Sequence, residues 1–410
     1  MGPERMDVWM EHISRKEYEE WLIRWKDQQI IKVVSGVRRC GKSTLFSMFR
    51  ELLRSKGVQE AQIIDINFED LEYEELTDYK KCYLYIKERL ASDRMHYIFL
   101  DEVQHLEHFE KVVDSLFIKK NCDVYMTGSN AYFMSGELAT LLSGRYVELN
   151  MLPLSFKEFS SSERMKGQSN KDLFGEYLRL SSFPYLLQLP EDSHYTQEYL
   201  ENVYNTVLLK DVVARLRISD VNSLERVAKF MFHNIGNKVT IQNISNTLKS
   251  AGKGVDHKTV DKYIRGLTDS LVLYEANRYN IKGKQFLTTQ SKYYAVDVTL
   301  RNMLVRGKES DIGHILENIV YLELLRRGFK VYVGEIQGGE VDFVAVSPEE
   351  TIYYQVAATT LDEQVLKREL ASLEKIPDHY PKYLLTLDEI FGAQDYNGIK
   401  KRNVLQWLLE

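Results

Sequence analysis

Between residues 11 and 26, Ile13, Trp21, Leu22 and Trp25 recur among charges at near-helical spacing, and QQIIKVV then supplies an apolar, β-branched run. A helix followed by a strand is predicted. Further buried strands are predicted at 63–68 (IIDINF), 96–102 (HYIFLDE) and 123–129 (DVYMTGS), with a fifth at 145–150. Helical stretches at 43–53, 82–90 and 109–120 separate them. Short apolar strands alternating with helices of this length imply a parallel sheet covered on both faces.

Residues 154–216 read as helical, with PLSFKEF and SSFPYLLQLP interrupting the pattern at prolines. A small helical lid is expected there. Three helices at 222–234, 240–249 and 257–270 come next and lead into the strand-like LVLYEANRY, the element order of a winged helix. Beyond them KYYAVD, the stretch 316–327, FKVYVGE, GEVDFVAVS and TIYYQVAATT alternate strand and helix again, as a separate C-terminal α/β domain would.

A length of 410 residues exceeds what one core supports and implies two or three domains. With 44% hydrophobic residues, 28% charged and only 7 Pro, the chain is expected to fold rather than remain disordered. The mean hydropathy is −0.35, and no apolar run approaches the roughly 18 residues of a membrane span. The first residues, MGPERMDVWM, lack an apolar signal core. A cytoplasmic protein is expected. Cys40, Cys82 and Cys122 are odd in number and widely spaced, which suggests neither a disulfide framework nor a zinc site. A net charge of −6 gives no chain-wide attraction to nucleic acid, so such binding would require a local basic patch.

The run Gly36, Val37, Arg38, Arg39, Cys40, Gly41, Lys42, Ser43 matches GxxxxGK[ST] without departure and directly follows the strand IIKVVS, and Thr44 after it joins these residues as a candidate nucleotide contact. Glycines let backbone N–H groups close around phosphate oxygens, the following helix N-terminus adds positive potential, Lys42 neutralises the terminal phosphates, and Ser43 is placed to ligate Mg²⁺. The strand HYIFLDE ends in two carboxylates. Asp101 is expected to support Mg²⁺ and Glu102 to polarise a water. Ser129 or Asn130, after the strand DVYMT, is a candidate sensor of the terminal phosphate. Arg145, before the last core strand, is a candidate for stabilising transition-state charge across a subunit interface.

In this order GVRRCGKS, FLDEVQ, TGSN, LLSGRY and PLSFKEF resemble the prokaryotic AAA+-type P-loop ATPases whose C-terminal domain is of unknown function with nuclease-like features. The resemblance implies ATP binding and hydrolysis, a lid, and a homo-oligomer in which Arg145 acts in trans. Near the C-terminus Glu317, Asp342 and the triplet Gln355-Val356-Ala357 resemble the PD-(D/E)XK nuclease core, where a helix Glu, a strand Asp and an ExK triplet bind metal and activate water. Gln355 replaces the second strand carboxylate and Ala357 the lysine, so nuclease activity is not expected. Lys249, Lys253, His257, Lys258, Lys262 and Arg265 gather around the second and third helices of the winged-helix segment, interrupted by Asp256, Asp261 and Asp269.

The fold class expected is therefore α/β, a P-loop NTPase parallel sheet with further domains. Residues 1–153 would form the ATPase core with an N-terminal helix, 154–218 the helical lid, 219–282 the winged helix and 283–410 a degenerate nuclease-like α/β domain. The expected ligands are ATP and Mg²⁺, with DNA or a protein partner bound through 219–383. A nucleotide-gated binding switch with negligible turnover is the competing reading, and Glu102 favours hydrolysis over it.

Overall fold

The computed structural model describes residues 13–128, 142, 144–190, 192–252, 254–305, 312–389 and 394–410. The chain forms two compact units: His12–Pro153 with Asp269–Leu271, and Leu154–Thr268 with Val272–Glu410.

In the first unit α1 (Lys16–Trp25) precedes β1 (Ile31–Ser35), α2 (Lys42–Ser55), β2 (Ile63–Asn67), α3 (Tyr79–Arg89), β3 (His96–Asp101), α4 (Phe109–Phe117), β4 (Cys122–Gly128) and β5 (Tyr146–Asn150). All five strands are parallel, in the order β2-β3-β4-β1-β5. The alternation of apolar runs with helices thus produces the predicted parallel α/β sheet. β1, β3 and most of β4 are buried on both faces, which explains their near-continuous apolar sequences. One face packs Val33, Ile66, Leu100 and Met126 against Val112 and Leu116. On the other, Phe99 stacks on Tyr125 with centroids 4.9 Å apart, and Phe46 and Phe49 of α2 meet this pair edge-on or tilted.

The sheet also holds an ion pair shut off from water. Lys32 of β1 meets Asp123 of β4, with side chains 0% and 1% exposed. The Lys32 ammonium donates to the Gln28 carbonyl at 2.7 Å, and Asp123 accepts from the Tyr125 hydroxyl and the Asp27 N–H, both at 2.8 Å.

The second unit opens with α5 (Phe156–Ser160), α6 (Asn170–Leu180) and α7 (Ser193–Thr206). The Ser155 hydroxyl and the Glu158 carboxylate cap each other's backbone N–H groups, which fixes the start of α5. Then come α8 (Val221–His233), α9 (Ile241–Ser250) and α10 (His257–Asp269), followed by the antiparallel hairpin β6 (Leu273–Asn280) and β7 (Gln285–Ala295). The remaining elements are α11 (Val298–Val305), α12 (Ile312–Arg326), β8 (Lys330–Ile336), β9 (Gly339–Val346), β10 (Thr351–Ala357), α13 (Glu363–Glu374), β11 (Lys382–Thr386), β12 (Gln394–Tyr396), β13 (Ile399–Asn403) and α14 (Val404–Leu409). Eight strands form one mixed sheet in the order β12-β13-β11-β10-β9-β8-β6-β7. The β6–β7 hairpin spans position 282, and β6 pairs in parallel with β8. The three-helix segment and the C-terminal α/β segment therefore share a sheet.

Candidate nucleotide and C-terminal sites

Because the five strands of the first unit are parallel, their C-terminal ends share one edge. Ser35 lies beside Gly128, and Asn67 beside Asp101. The chain from Gly36 to Gly41 crosses that edge before α2 begins. Gly36 has no space for a side chain: a Cβ would lie 2.4 Å from the Met151 carbonyl oxygen. Gly41 takes φ 106° as the residue that enters α2, and no side chain caps the helix there. The free N–H groups of this 14-residue helix face the loop, as phosphate binding requires. Arg15, buried at 4% exposure, clasps the loop from behind by donating to the Cys40 carbonyl at 3.2 Å and the Leu152 carbonyl at 2.7 Å.

The Lys42 ammonium is folded over the loop, 3.1 Å from the Gly36 carbonyl oxygen, 3.3 Å from that of Val37 and 3.7 Å from Glu102 Oε1. Ser43 and Thr44 are exposed at the helix start. Ser43 lies close enough to the Asp101 carboxyl to act against the rise of its pKa, so the two candidate Mg²⁺ groups are neighbours. Burial raises the Asp101 carboxyl above its usual range, against the opposing pull of Ser43 and Thr127. A carboxylate desolvated in this way is suited to a cation. Cys40 is fully buried, and burial pushes its thiol up, so it is loop packing. Arg39 is exposed with φ 67°. Arg38 turns to Glu69 at 2.8 Å. His105 beside Glu69, together with Arg38, holds that carboxyl down at about 2 against the effect of burial.

Glu102 sits in the left-handed backbone region, φ 53° and ψ 50°, which costs a non-glycine residue roughly 1–3 kcal/mol. Surrounding contacts hold it there. Its N–H donates to the Thr127 hydroxyl at 2.9 Å, and that hydroxyl in turn donates to Asp101 Oδ1. Gln104 Nε2 donates to Glu102 Oε2 at 2.5 Å. Thr127, Gln104 and Arg15 were not singled out from the sequence. Thr127 looks there like one more β-branched strand residue.

Ser129 and Asn130 lie outside the described residues. Arg145 precedes β5, and its carbonyl accepts from the N–H of Ile31 at the start of β1. It is therefore at the opposite edge of the sheet from the phosphate loop, about 17 Å away for a five-residue strand. Its guanidinium lies 3.5 Å from Asp114 and 5.4 Å from the Phe117 ring centroid. The structure does not bring it to the nucleotide site of its own chain.

The second unit holds a cavity of about 580 Å³ lined by His314, Glu317, Glu340, Asp342, Gln355 and Glu369 among others. The helix Glu, strand Asp and strand Gln singled out from the sequence do converge there. Gln355 Oε1 accepts from the Asp342 N–H at 3.3 Å, and Gln355 Nε2 donates to Glu369 at 2.9 Å. An unforeseen residue, Lys292 of β7, lies 2.9 Å from Glu317 and 2.7 Å from Glu340, and Tyr294 donates to Glu317 at 2.6 Å. Burial alone would lower the Lys292 ammonium, but the carboxylates of Glu317, Asp342 and Glu340 outweigh it and keep the group charged. Asp342 is pushed well up by burial and by Glu317.

Residues 28–160 match the model of an AAA domain, and residues 171–311 that of a domain of unknown function, DUF8612. An uncharacterized protein of Haemophilus influenzae is 38% identical over 97% of this chain and 99% of its own length. The chain belongs to that protein's family, and its N-terminal portion is an AAA-type P-loop ATPase domain. An uncharacterized protein of Methanocaldococcus jannaschii is 28% identical over 84% of this chain and 78% of its own. Among solved structures, the Walker-type ATPase of Pyrococcus abyssi covers 72% of this chain and 96% of its own at 14% identity, with a TM-score of 0.48.

Proposed function

We propose that the protein is a Mg²⁺-dependent ATPase that couples its nucleotide cycle to DNA recognition through the second unit. The observation that carries the first half is the gathering of both carboxylates at the phosphate loop: Thr127 ties Asp101 to Glu102, and Lys42 of the loop lies 3.7 Å from Glu102. The backbone N–H groups of the loop and Lys42 would hold the phosphates of ATP, and Ser43 and Asp101 would hold Mg²⁺, whose contribution is neutralisation of phosphate charge. Glu102, kept in a costly backbone conformation, is the water-polarising carboxylate. A switch without turnover has no need of that arrangement. Arg145, remote from its own loop, acts on a neighbouring subunit of a homo-oligomer.

The second half rests on α8, α9 and α10 with the β6–β7 hairpin, read as a winged helix. α10 buries Val260, Tyr263, Ile264 and Leu267 and exposes His257, Lys258, Lys262 and Arg265, although Arg265 also pairs with Asp261 at 3.1 Å. Basic side chains on an exposed helix face fit DNA phosphates. In the C-terminal cavity Lys292 is held charged and therefore does not serve as a base, and Ala357 supplies none, so DNA is bound without being cut. Fluorescence anisotropy with duplex DNA tests the DNA-recognition half. Binding should weaken in Lys258→Glu/Lys262→Glu protein with a shallower dependence on salt. Equal affinity and salt slope in parent and variant would remove DNA as the partner of this face and leave a protein.

A further inference from the structure

The two oxygens of the Glu102 carboxylate are differently engaged. Oε2 accepts from Gln104 Nε2 at 2.5 Å, and Oε1 lies on the Lys42 side at 3.7 Å. The backbone beneath is fixed as well, since Glu102 opens the short turn Val103–His105 and its N–H is spent on Thr127. A glutamate side chain still has three rotatable bonds, and neither Thr127 nor the strained backbone sets the last of them. The only contact among the described residues that fixes it by a short hydrogen bond is the one from Gln104, which lies on the same turn two residues later. The Lys42 contact is longer, and Lys42 is the group that ATP phosphates would engage.

Resting on the ATPase reading, we infer that Gln104 is the positioning residue of the reaction: its amide turns the Glu102 carboxylate so that Oε1 faces the phosphate lysine, where a water attacking the terminal phosphate has to lose its proton. A glutamine suits this task because it donates to the carboxylate without adding charge. When nucleotide draws Lys42 away, the Gln104 contact keeps the base aimed. Gln104 touches neither phosphate nor water in this role and acts through Glu102.

The inference separates orientation from binding. Gln104→Met keeps length and removes the donor, and Gln104→Glu keeps shape and sets acceptor against acceptor. Both should lower kcat about 10–100-fold, as loss of near-attack geometry does, with KM and ATP affinity within about twofold of the parent. A double-mutant cycle supplies the readout that simple loss of packing would not move: in a Glu102→Gln background, where no base remains to be aimed, Gln104→Met should leave the residual single-turnover rate unchanged. Parental kcat in both Gln104 variants, with Glu102→Gln inactive in the same assay, overturns the role of Gln104 and leaves the ATPase reading standing. A further loss of rate in the Glu102→Gln background overturns it equally. Parental turnover by Glu102→Gln would instead overturn the assignment of Glu102 and, with it, this one.

Discussion

Replacing Asp123 by Asn removes one charge from the interior of the first unit and leaves the other. Lys32 is wholly buried, and without the carboxylate its ammonium retains the Gln28 carbonyl at 2.7 Å and the face of Tyr125, 5.3 Å from Nζ to the ring centroid. Breaking a buried pair from one side costs about 3–5 kcal/mol, because the remaining charge is neither hydrated nor compensated. With a urea slope of about 2 kcal/mol per molar, the midpoint should fall by about 1.5–2.5 M at pH 7. The effect has a definite pH sign. Burial lowers the Lys32 pKa and Asp123 opposes that, so the variant's lysine is depressed further and sheds its proton more readily folded than unfolded. The penalty is therefore full below the folded pKa and shrinks as pH rises toward the ordinary lysine value of 10.5. Because the chain has two compact units, a single whole-chain midpoint is ill-defined. Hydrogen exchange of peptides from β1 and β4 across a urea series reports the relevant unit. Lys32→Met/Asp123→Leu, which removes both charges, should recover most of the loss. A midpoint change under about 0.5 M in Asp123→Asn, or a penalty that grows with pH, would refute the picture of a dry, mutually dependent pair.

Lys42→Ala should lose tight ATP binding, measured by calorimetry, and mixing it with Arg145→Ala protein should restore partial turnover if Arg145 acts in trans. Glu69, held at about 2 against an ordinary value of 4.5, contributes stability above pH 4.5 that is lost as pH falls toward 2. Parent and Glu69→Gln proteins should therefore differ slightly in melting temperature at pH 7 and converge across that window. Plasmid nicking assays with Mg²⁺ or Mn²⁺ should show no cleavage by the parent, and cleavage that disappears in Asp342→Ala would contradict the reading of the C-terminal cavity.

The sheet of the first unit and its phosphate loop were legible because each depends on local pattern: apolar runs for doubly covered strands, and fixed glycine spacing for a loop that must approach phosphate. Asp101 and Glu102 were legible for the same reason, at the end of HYIFLDE. What supports them was not. Thr127 reads as strand filler, Gln104 as one more polar residue in a turn, and Arg15 as a surface charge before a helix. Their roles arise only when parallel pairing places β3 beside β4 and the N-terminal segment behind the loop. Lys32 likewise looks like a polar interruption of IIKVVS until its neighbour across the sheet is known. Lys292 lies in QSKYY, 25 residues before Glu317 and 50 before Asp342 in the chain, and no spacing rule connects them. A hairpin after the three helices is expected of a winged helix, but its run across the boundary at 282 was hidden because LVLYEANRY and KYYAVD each read as strands without declaring their partners.

Glu102→Gln tests the central claim most directly, since the amide preserves shape and cannot take a proton. Its ATP affinity should match the parent's, while phosphate release in the presence of Mg²⁺ falls about 100-fold or more. Parental phosphate release by this variant would contradict the assignment of the site as one built for ATP hydrolysis through Glu102.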